Sequence, residues 1–380
     1  RVRDLVEIGM GREARRTYQL DDVDIVPSRR TRSSKEVSTA WQLDAYRFDI
    51  PVLAHPTDAL VSPAFAIELG KQGGLGVING EGLWARHADV QAKLDQLIHI
   101  AETDLDPDAP IAFLQELHAA PLQPDLLAAA VGQVRDAGVT VAVRVSPQNA
   151  RALTPALIAS GLDLLVIQGT IISAEHVAHG DDEPLNLKTF IAELDVPVIA
   201  GGVSDHRTAL HLMRTGAAGV IVGYGSVEGG TTTGEVLGIG VPMATAIADA
   251  AAARRDYLDE TGGRYVHVIA DGDITTSGAL AKAIACGADA AVLGAPLAVA
   301  AEAPGGGWYW PSAAAHPSMP RGALLPMSAG ERPNLDQVLH GPSRESYGSI
   351  NLVGGLRRSM AKSGYSDLKE FQKVGLNVRA

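Results

Sequence analysis

Residues 196–223 read Val196-Pro-Val-Ile-Ala-Gly-Gly-Val-Ser-Asp-His-Arg-Thr-Ala-Leu-His-Leu-Met-Arg-Thr-Gly-Ala-Ala-Gly-Val-Ile-Val-Gly223. Two short apolar runs ending in glycine flank a window of helical length. Neither run alternates with polar residues, which is how a parallel strand buried on both faces reads. The same phrase recurs along the chain. It appears at Ala137-Gly-Val-Thr-Val-Ala-Val-Arg-Val145, at Gly161-Leu-Asp-Leu-Leu-Val-Ile-Gln-Gly169, at Tyr265-Val-His-Val-Ile-Ala-Asp-Gly272 and at Gly287-Ala-Asp-Ala-Ala-Val-Leu-Gly294. Pro51-Val-Leu-Ala54 and Gly74-Leu-Gly-Val-Ile-Asn79 supply two earlier copies.

Helical windows lie between most of these runs, at residues 124–136, 150–159, 205–214 and 277–286. Ser204 and Thr276 stand where caps of the last two would fall. The spacing between strands leaves room for right-handed crossovers. Eight strands, each followed by a helix, predict an α/β fold, a (β/α)8 TIM barrel, more economically than a doubly wound sheet. Residues 1–50 form an N-terminal extension, residues 80–137 are long for one crossover, and residues 300–350 form long C-terminal loop insertions. The expectation is one barrel domain over residues 1–380.

Composition narrows the function. The 380 residues are 46% hydrophobic and only 4% aromatic, so the core is built from small aliphatics. Lys and Arg number 32 against 44 Asp and Glu, a net charge of −12 that argues against a nucleic-acid partner. The one cysteine, Cys286, excludes a disulfide framework and any cysteine-rich metal or iron–sulfur site. No apolar run approaches the roughly 20 residues of a membrane span, and Arg1-Val-Arg-Asp4 opens no export signal. A cytoplasmic protein is expected.

In a barrel the ligand sits at the C-terminal ends of the strands, with phosphate favouring the loops after the seventh and eighth. Those loops hold Asp271, Gly272 and Asp273, then Gly294 and Ala295. A third glycine loop, residues 223–234, follows the sixth strand and contains Ser226, Glu228, Thr231, Thr232 and Thr233. Glycine lets backbone N–H groups approach an anion, yet any tight turn also needs it. Asp271 either binds ribose hydroxyls or caps its turn.

The stretches Thr17-Tyr-Gln-Leu-Asp-Asp-Val-Asp-Ile-Val-Pro-Ser-Arg29, Pro51–Asp58, Gly73–Ile78, Val196–Val203, Gly223–Pro242, Ala270–Leu280, Ala288–Gly294 and Gly354-Gly-Leu-Arg-Arg-Ser-Met360 resemble, in order and spacing, the IMP dehydrogenase/GMP reductase family. The resemblance covers nearly the whole chain. It is nearest to a compact bacterial branch related to IMP dehydrogenase that has no CBS module. It implies a homo-tetrameric barrel that binds a purine nucleoside monophosphate and NAD or NADP, with a monovalent cation near the glycine–arginine stretch. The nucleotide-binding positions it implies are Ser226, Asp271, Gly272, Gly294, Ala295 and Arg321.

The same resemblance exposes departures. The family's chemistry uses a loop thiolate that attacks purine C2, and here Gly230 or Thr231 stands in its place. Cys286 falls on the helix between strands seven and eight and reads as a core residue. Thr231, with Glu228 or Glu235 as base, is the hydroxyl substitute. Gln168 replaces the Asp brought to the nicotinamide ribose, and Gly202 replaces an amide; these two are the cofactor-binding candidates. Asp273 and Ala295 replace a glycine and a serine of the phosphate turns. Outside this pattern, His176 and His179 beside Asp181 and Asp182 could share a helix face for a metal, although an acidic loop is the simpler reading. His55 could face a ligand, His267 reads as a core histidine, and Arg357 and Arg358 read as structural. The sequence therefore supports an oxidoreductase related to IMP dehydrogenase. A GMP reductase-like activity and a catalytically silent nucleotide-binding or scaffold protein are the alternatives.

Overall fold

The computed structural model describes residues 4–177, 184–225, 232–312, 316, 322–328 and 330–379. Eight parallel strands close a barrel in chain order: β1 (Val52–Ala54), β2 (Leu75–Asn79), β3 (Ala142–Val145), β4 (Leu164–Gln168), β5 (Val198–Val203), β6 (Gly219–Val222), β7 (His267–Asp271) and β8 (Ala290–Leu293). Closure is made where Ala291, Val292 and Leu293 of β8 pair with Val52, Leu53 and Ala54 of β1. The fold read from the glycine-bounded runs is the one observed. Every residue of β1, β2, β5, β6 and β8 is buried, as a sheet covered on both faces requires.

Helices Pro124–Asp136, Ala150–Ala159 and Ser277–Cys286 occupy the windows read from sequence, and Thr276 accepts the Ala279 N–H as the last one's cap. The helix after β5 is a correction. It spans His206–Arg214, and its cap is Asp205, whose carboxylate accepts the Thr208 N–H at 2.8 Å. Ser204 is drawn away because its hydroxyl meets the Tyr224 hydroxyl at 2.5 Å. Replacing Asp205 with Ala is expected to cost about 1 kcal/mol in urea denaturation, whereas Ser204→Ala leaves this helix end intact.

Three additions shape the two ends of the barrel. In the N-terminal extension a hairpin of Trp41–Leu43 and Tyr46–Phe48 closes the end where the strands begin. Its Leu43 side chain lies against Gly219 at the start of β6, and the Trp41 indole N–H donates to the Ile50 carbonyl at 3.0 Å. At the opposite rim, helices Val90–Thr103 and Ala109–Ala119 account for the length of the 80–137 segment. They meet a small hairpin of Trp308–Tyr309 with Leu325–Pro326 from the C-terminal insertion. Leu94, Leu97, Leu114, Leu117, Tyr309 and Trp310 form a core of their own there, separate from the barrel core. Thr57 ties this wall to the end of β1 by donating its hydroxyl to the Trp310 carbonyl at 2.5 Å.

Candidate functional site

The C-terminal ends of the strands open into a cavity of about 570 Å³, within the range of small-ligand sites. One side is the rim itself, from His55 after β1 round to Gly294 after β8. The other is the added wall, which contributes Arg86, His118, Tyr309 and Ser312.

Asp271 closes β7 and is only 4% exposed. Its Oδ2 accepts a hydrogen bond from the Gln168 side-chain amide at 3.0 Å. Burial pushes its carboxyl up to about 6, only partly opposed by that bond. The Gly225 N–H donates to the Asp271 carbonyl at 3.2 Å, which ties the loop after β6 to the turn after β7. Asp271 is thus a fixed acceptor facing the cavity, with Gly272, Asp273 and Ile274 beside it.

Across the opening, Arg144 breaks the apolar run of β3. Its Nε and Nη2 donate to the Gln168 carbonyl at 3.1 and 2.8 Å, and its Nη1 to Asn79 Oδ1 at 3.2 Å. Glu81 stands 3.5 Å from Nη1 and accepts bonds from the Ser146 N–H, the Ser146 hydroxyl and the Asn149 amide. Desolvation holds the Arg144 pKa below its ordinary value, with Glu81 opposing. Arg86 donates to the backbone carbonyls of Glu81 and Ala120. His118 spans Asp58, at 3.2 Å, and the Leu114 carbonyl, at 3.0 Å, so both ring nitrogens are engaged. His55 lines the cavity as its sequence position suggested, and burial followed by the Arg144 charge holds it down to about 4, a neutral imidazole at physiological pH.

Of the residues singled out from sequence, Gln168, Asp271, Gly272, Gly294 and Ala295 line this one cavity. Gly202 does not; a Cβ there would stand 2.2 Å from the Gly223 carbonyl oxygen, so the position has room for no side chain. Ser226, Glu228, Gly230, Thr231 and Arg321 lie outside the described residues, as do His179, Asp181 and Asp182. Residues 171–177 form no helix, His176 there is exposed, and among the described residues no group of three metal-ligating side chains occurs. Glu235 is exposed on the short helix Thr232–Leu237, whereas Thr233 lines the cavity, 2% exposed, and its hydroxyl has no partner among the described residues. Cys286 ends the helix that starts at the rim after β7, which places it towards the opposite end of the barrel, and burial pushes its thiol up to about 11. His267 begins β7 at that same far end. Arg357 binds the Val37 carbonyl, joining helix Leu352–Ser363 to the N-terminal extension as a structural residue would.

Sequence reasoning passed over Arg144, Glu81, Asn79 and Tyr309. The one usable signal was an arginine inside an otherwise apolar strand.

A closed parallel barrel with a cavity at its strand ends, floored by a buried aspartate and glycine turns, is a (β/α)8 architecture. Residues 17–379 match the model of the IMP dehydrogenase / GMP reductase domain, and the chain belongs to that family. A protein of Mycolicibacterium smegmatis named as an uncharacterized oxidoreductase is 77% identical over 374 residues, 98% of this chain and all of that protein. The crystal structure of an IMP dehydrogenase/GMP reductase-like protein from Corynebacterium glutamicum superposes with a TM-score of 0.93 at 61% identity, covering 99% of this chain and 98% of the other. The inosine-5'-monophosphate dehydrogenase of Aquifex aeolicus is 34% identical over 243 residues, 59% of this chain and 46% of that enzyme. No helix among the described residues is long and apolar enough to cross a membrane.

Proposed function

We propose that this member of an oxidoreductase family uses the rim cavity to bind a purine ribonucleoside-type ligand and does not carry out the family's thiolate-dependent hydride transfer. The observation that carries the reading is Asp271, a buried acceptor fixed by Gln168 at the end of β7, where ribose hydroxyls would meet it. The absence of chemistry rests on the lone cysteine, which stands on a packing helix with its thiol held protonated.

The residues that the resemblance assigns to NAD or NADP do not fit that role. The Gln168 side-chain amide donates to Asp271, the Gln168 backbone carbonyl accepts from Arg144, and Gly202 is packed against the carbonyl of Gly223. The Arg357 guanidinium is committed to the N-terminal extension, and no described residue argues for a cation there. A single barrel domain, a homo-tetramer and a cytoplasmic setting belong to the same reading.

Thr233 favours a second reading, an active dehydrogenase or GMP reductase-like enzyme that uses a hydroxyl in place of the thiol. Thr233 lines the cavity and its buried hydroxyl has no partner among the described residues, but a hydroxyl needs a positioned base, and Glu235 is exposed. Calorimetry with inosine, guanosine, IMP, GMP, XMP, NAD and NADP, run beside absorbance assays for NAD(P)H in both directions, separates the two. The expected result is saturable purine binding, no dinucleotide binding and no turnover. Turnover abolished by Thr233→Ala would establish the second reading instead.

A further inference from the structure

The barrel has a second cavity, at the end where its strands begin. It measures about 390 Å³ and lies between Asp44, at the turn of the closing hairpin, and the starts of β5, β6 and β7. It shares no lining residue with the rim cavity, and its volume is within the range of small-ligand sites. Ile191, Leu194, Val196 and Pro197, which lead from helix Leu187–Ala192 into β5, give it an apolar side.

The polar side begins with His267. It stands two residues before Ile269 and four before Asp271, so it shares their face of β7 at the opposite end of the strand. Its ring meets Trp41 and Tyr265 edge-on, with centroids 5.7 and 5.0 Å away. Nδ1 lies 3.4 Å from the Ala218 carbonyl oxygen, which can only accept, so Nδ1 carries the proton. Burial, above all, holds the imidazole below its ordinary pKa. In the neutral ring Nε2 is an acceptor with no partner among the described residues. Tyr265 is already engaged, since its hydroxyl donates to Asp289 at 2.6 Å and Lys369 lies over its ring, 4.5 Å from the centroid.

Exposed charged groups complete the lining. Arg264 donates through Nη2 to the Gly216 carbonyl at 2.6 Å and through Nη1 to the Tyr257 hydroxyl at 3.4 Å. Its remaining N–H donors have no described partner. The side chains of Asp44 and Asp195 have no hydrogen-bond or ion-pair partner among the described residues. One cation and two carboxylates beside a neutral acceptor select a ligand by charge. A phosphate or a simple carboxylate would satisfy Arg264 and be repelled by the aspartates, and a simple amine would leave Arg264 unanswered. A molecule with a carboxylate and an ammonium close together answers both. Its ammonium also brings as many N–H donors as there are acceptors in Asp44, Asp195 and His267 Nε2.

We infer that this cavity binds a free α-amino acid with an apolar side chain. The carboxylate is taken by Arg264, the ammonium by Asp44, Asp195 and His267, and the side chain by Leu194 and Pro197. The inference does not depend on the purine reading of the rim.

The test is calorimetry of the full chain with L-leucine, L-methionine and L-phenylalanine. Each is run beside its amide, which lacks the carboxylate, and its N-acetyl derivative, which lacks the ammonium. At least one of the amino acids is expected to bind saturably, roughly tenfold or more tightly than either analogue. Arg264→Gln and Asp195→Asn change exposed side chains and are each expected to weaken that ligand about tenfold. His267→Phe, which keeps a ring in place and removes the acceptor, should weaken it too. Circular dichroism checks that each variant is folded, and a His267→Phe chain that does not fold leaves the two surface variants to decide. No binding of any of the amino acids up to about 10 mM, analogues bound as tightly as the parent, or an affinity unmoved by both surface substitutions overturns the inference.

Discussion

Asp271→Asn is expected to lower purine-ligand affinity roughly a hundredfold, the worth of hydrogen bonds to a charged acceptor, and at the same time to raise stability at neutral pH. The carboxylate is nearly inaccessible, and among the described residues the one side-chain donor that reaches it is the Gln168 amide. Its carboxyl titrates at about 6 in the folded chain against an ordinary value of 3.8. A folded pKa above the unfolded one means that the native state holds the proton more tightly. Stability attributable to this group therefore rises as pH falls through about 6 towards 4, and the full penalty of the buried charge is present above about 6. Two pH units of displacement correspond to roughly 3 kcal/mol. Urea denaturation of both proteins from about pH 4 to 8 checks the sign: the Asn variant should be the more stable at pH 7, with the gap closing at the acid end. A variant less stable than wild type at pH 7 would mean that the carboxylate is not a strained group. Ligand affinity of the wild type should fall in parallel below about pH 6.

Arg144→Met is expected to be the most destabilising single change in the site, by about 3 kcal/mol, because it removes one member of a largely but not fully buried ion pair and leaves the other in place. Glu81 would keep its bonds to Ser146 and Asn149 but lose the only cation within 4 Å among the described residues. The Gln168 carbonyl would lose two donors and Asn79 Oδ1 one. Adding Glu81→Gln to Arg144→Met should restore part of the loss, since an amide can stay among those donors without an unpaired charge. A double-mutant cycle in urea measures the coupling. A single variant within about 1 kcal/mol of wild type, or a double variant no better than the single, would show that the pair is not a unit.

The barrel could be read from sequence because its signal is local. Most strands are apolar runs closed by glycine, and the long β6-to-β7 interval holds a 19-residue helix, Met243–Thr261, beyond the short one at Thr232–Leu237. Asp271 could be singled out by its place at the end of such a run. The rest depends on contacts that local patterning does not carry. Ser204 and Asp205 are equally good caps on paper, and the choice between them is made by Tyr224, twenty residues on. Arg144 looks like an interruption in β3 until Glu81 arrives from the turn after β2 and the Gln168 backbone carbonyl from the end of β4. The wall of the cavity was invisible for the same reason, since neither residues 83–117 nor residues 308–327 have an apolar face whose partner can be named from sequence.

That wall has a consequence for the order in which the molecule becomes competent. The Thr57–Trp310 and His55–Ser312 contacts span 253 and 257 positions, and the Gln115 amide reaches the His316 carbonyl across 201. A chain emerging from the ribosome can assemble its early helices while most of the barrel is still unmade, but it has no enclosed cavity until residues past 310 fold back onto the first strand. Ligand therefore cannot act as a template for the early stages of folding. It can only reward a chain that is already complete, and a purine added during refolding should slow unfolding of the finished protein without speeding the first collapse.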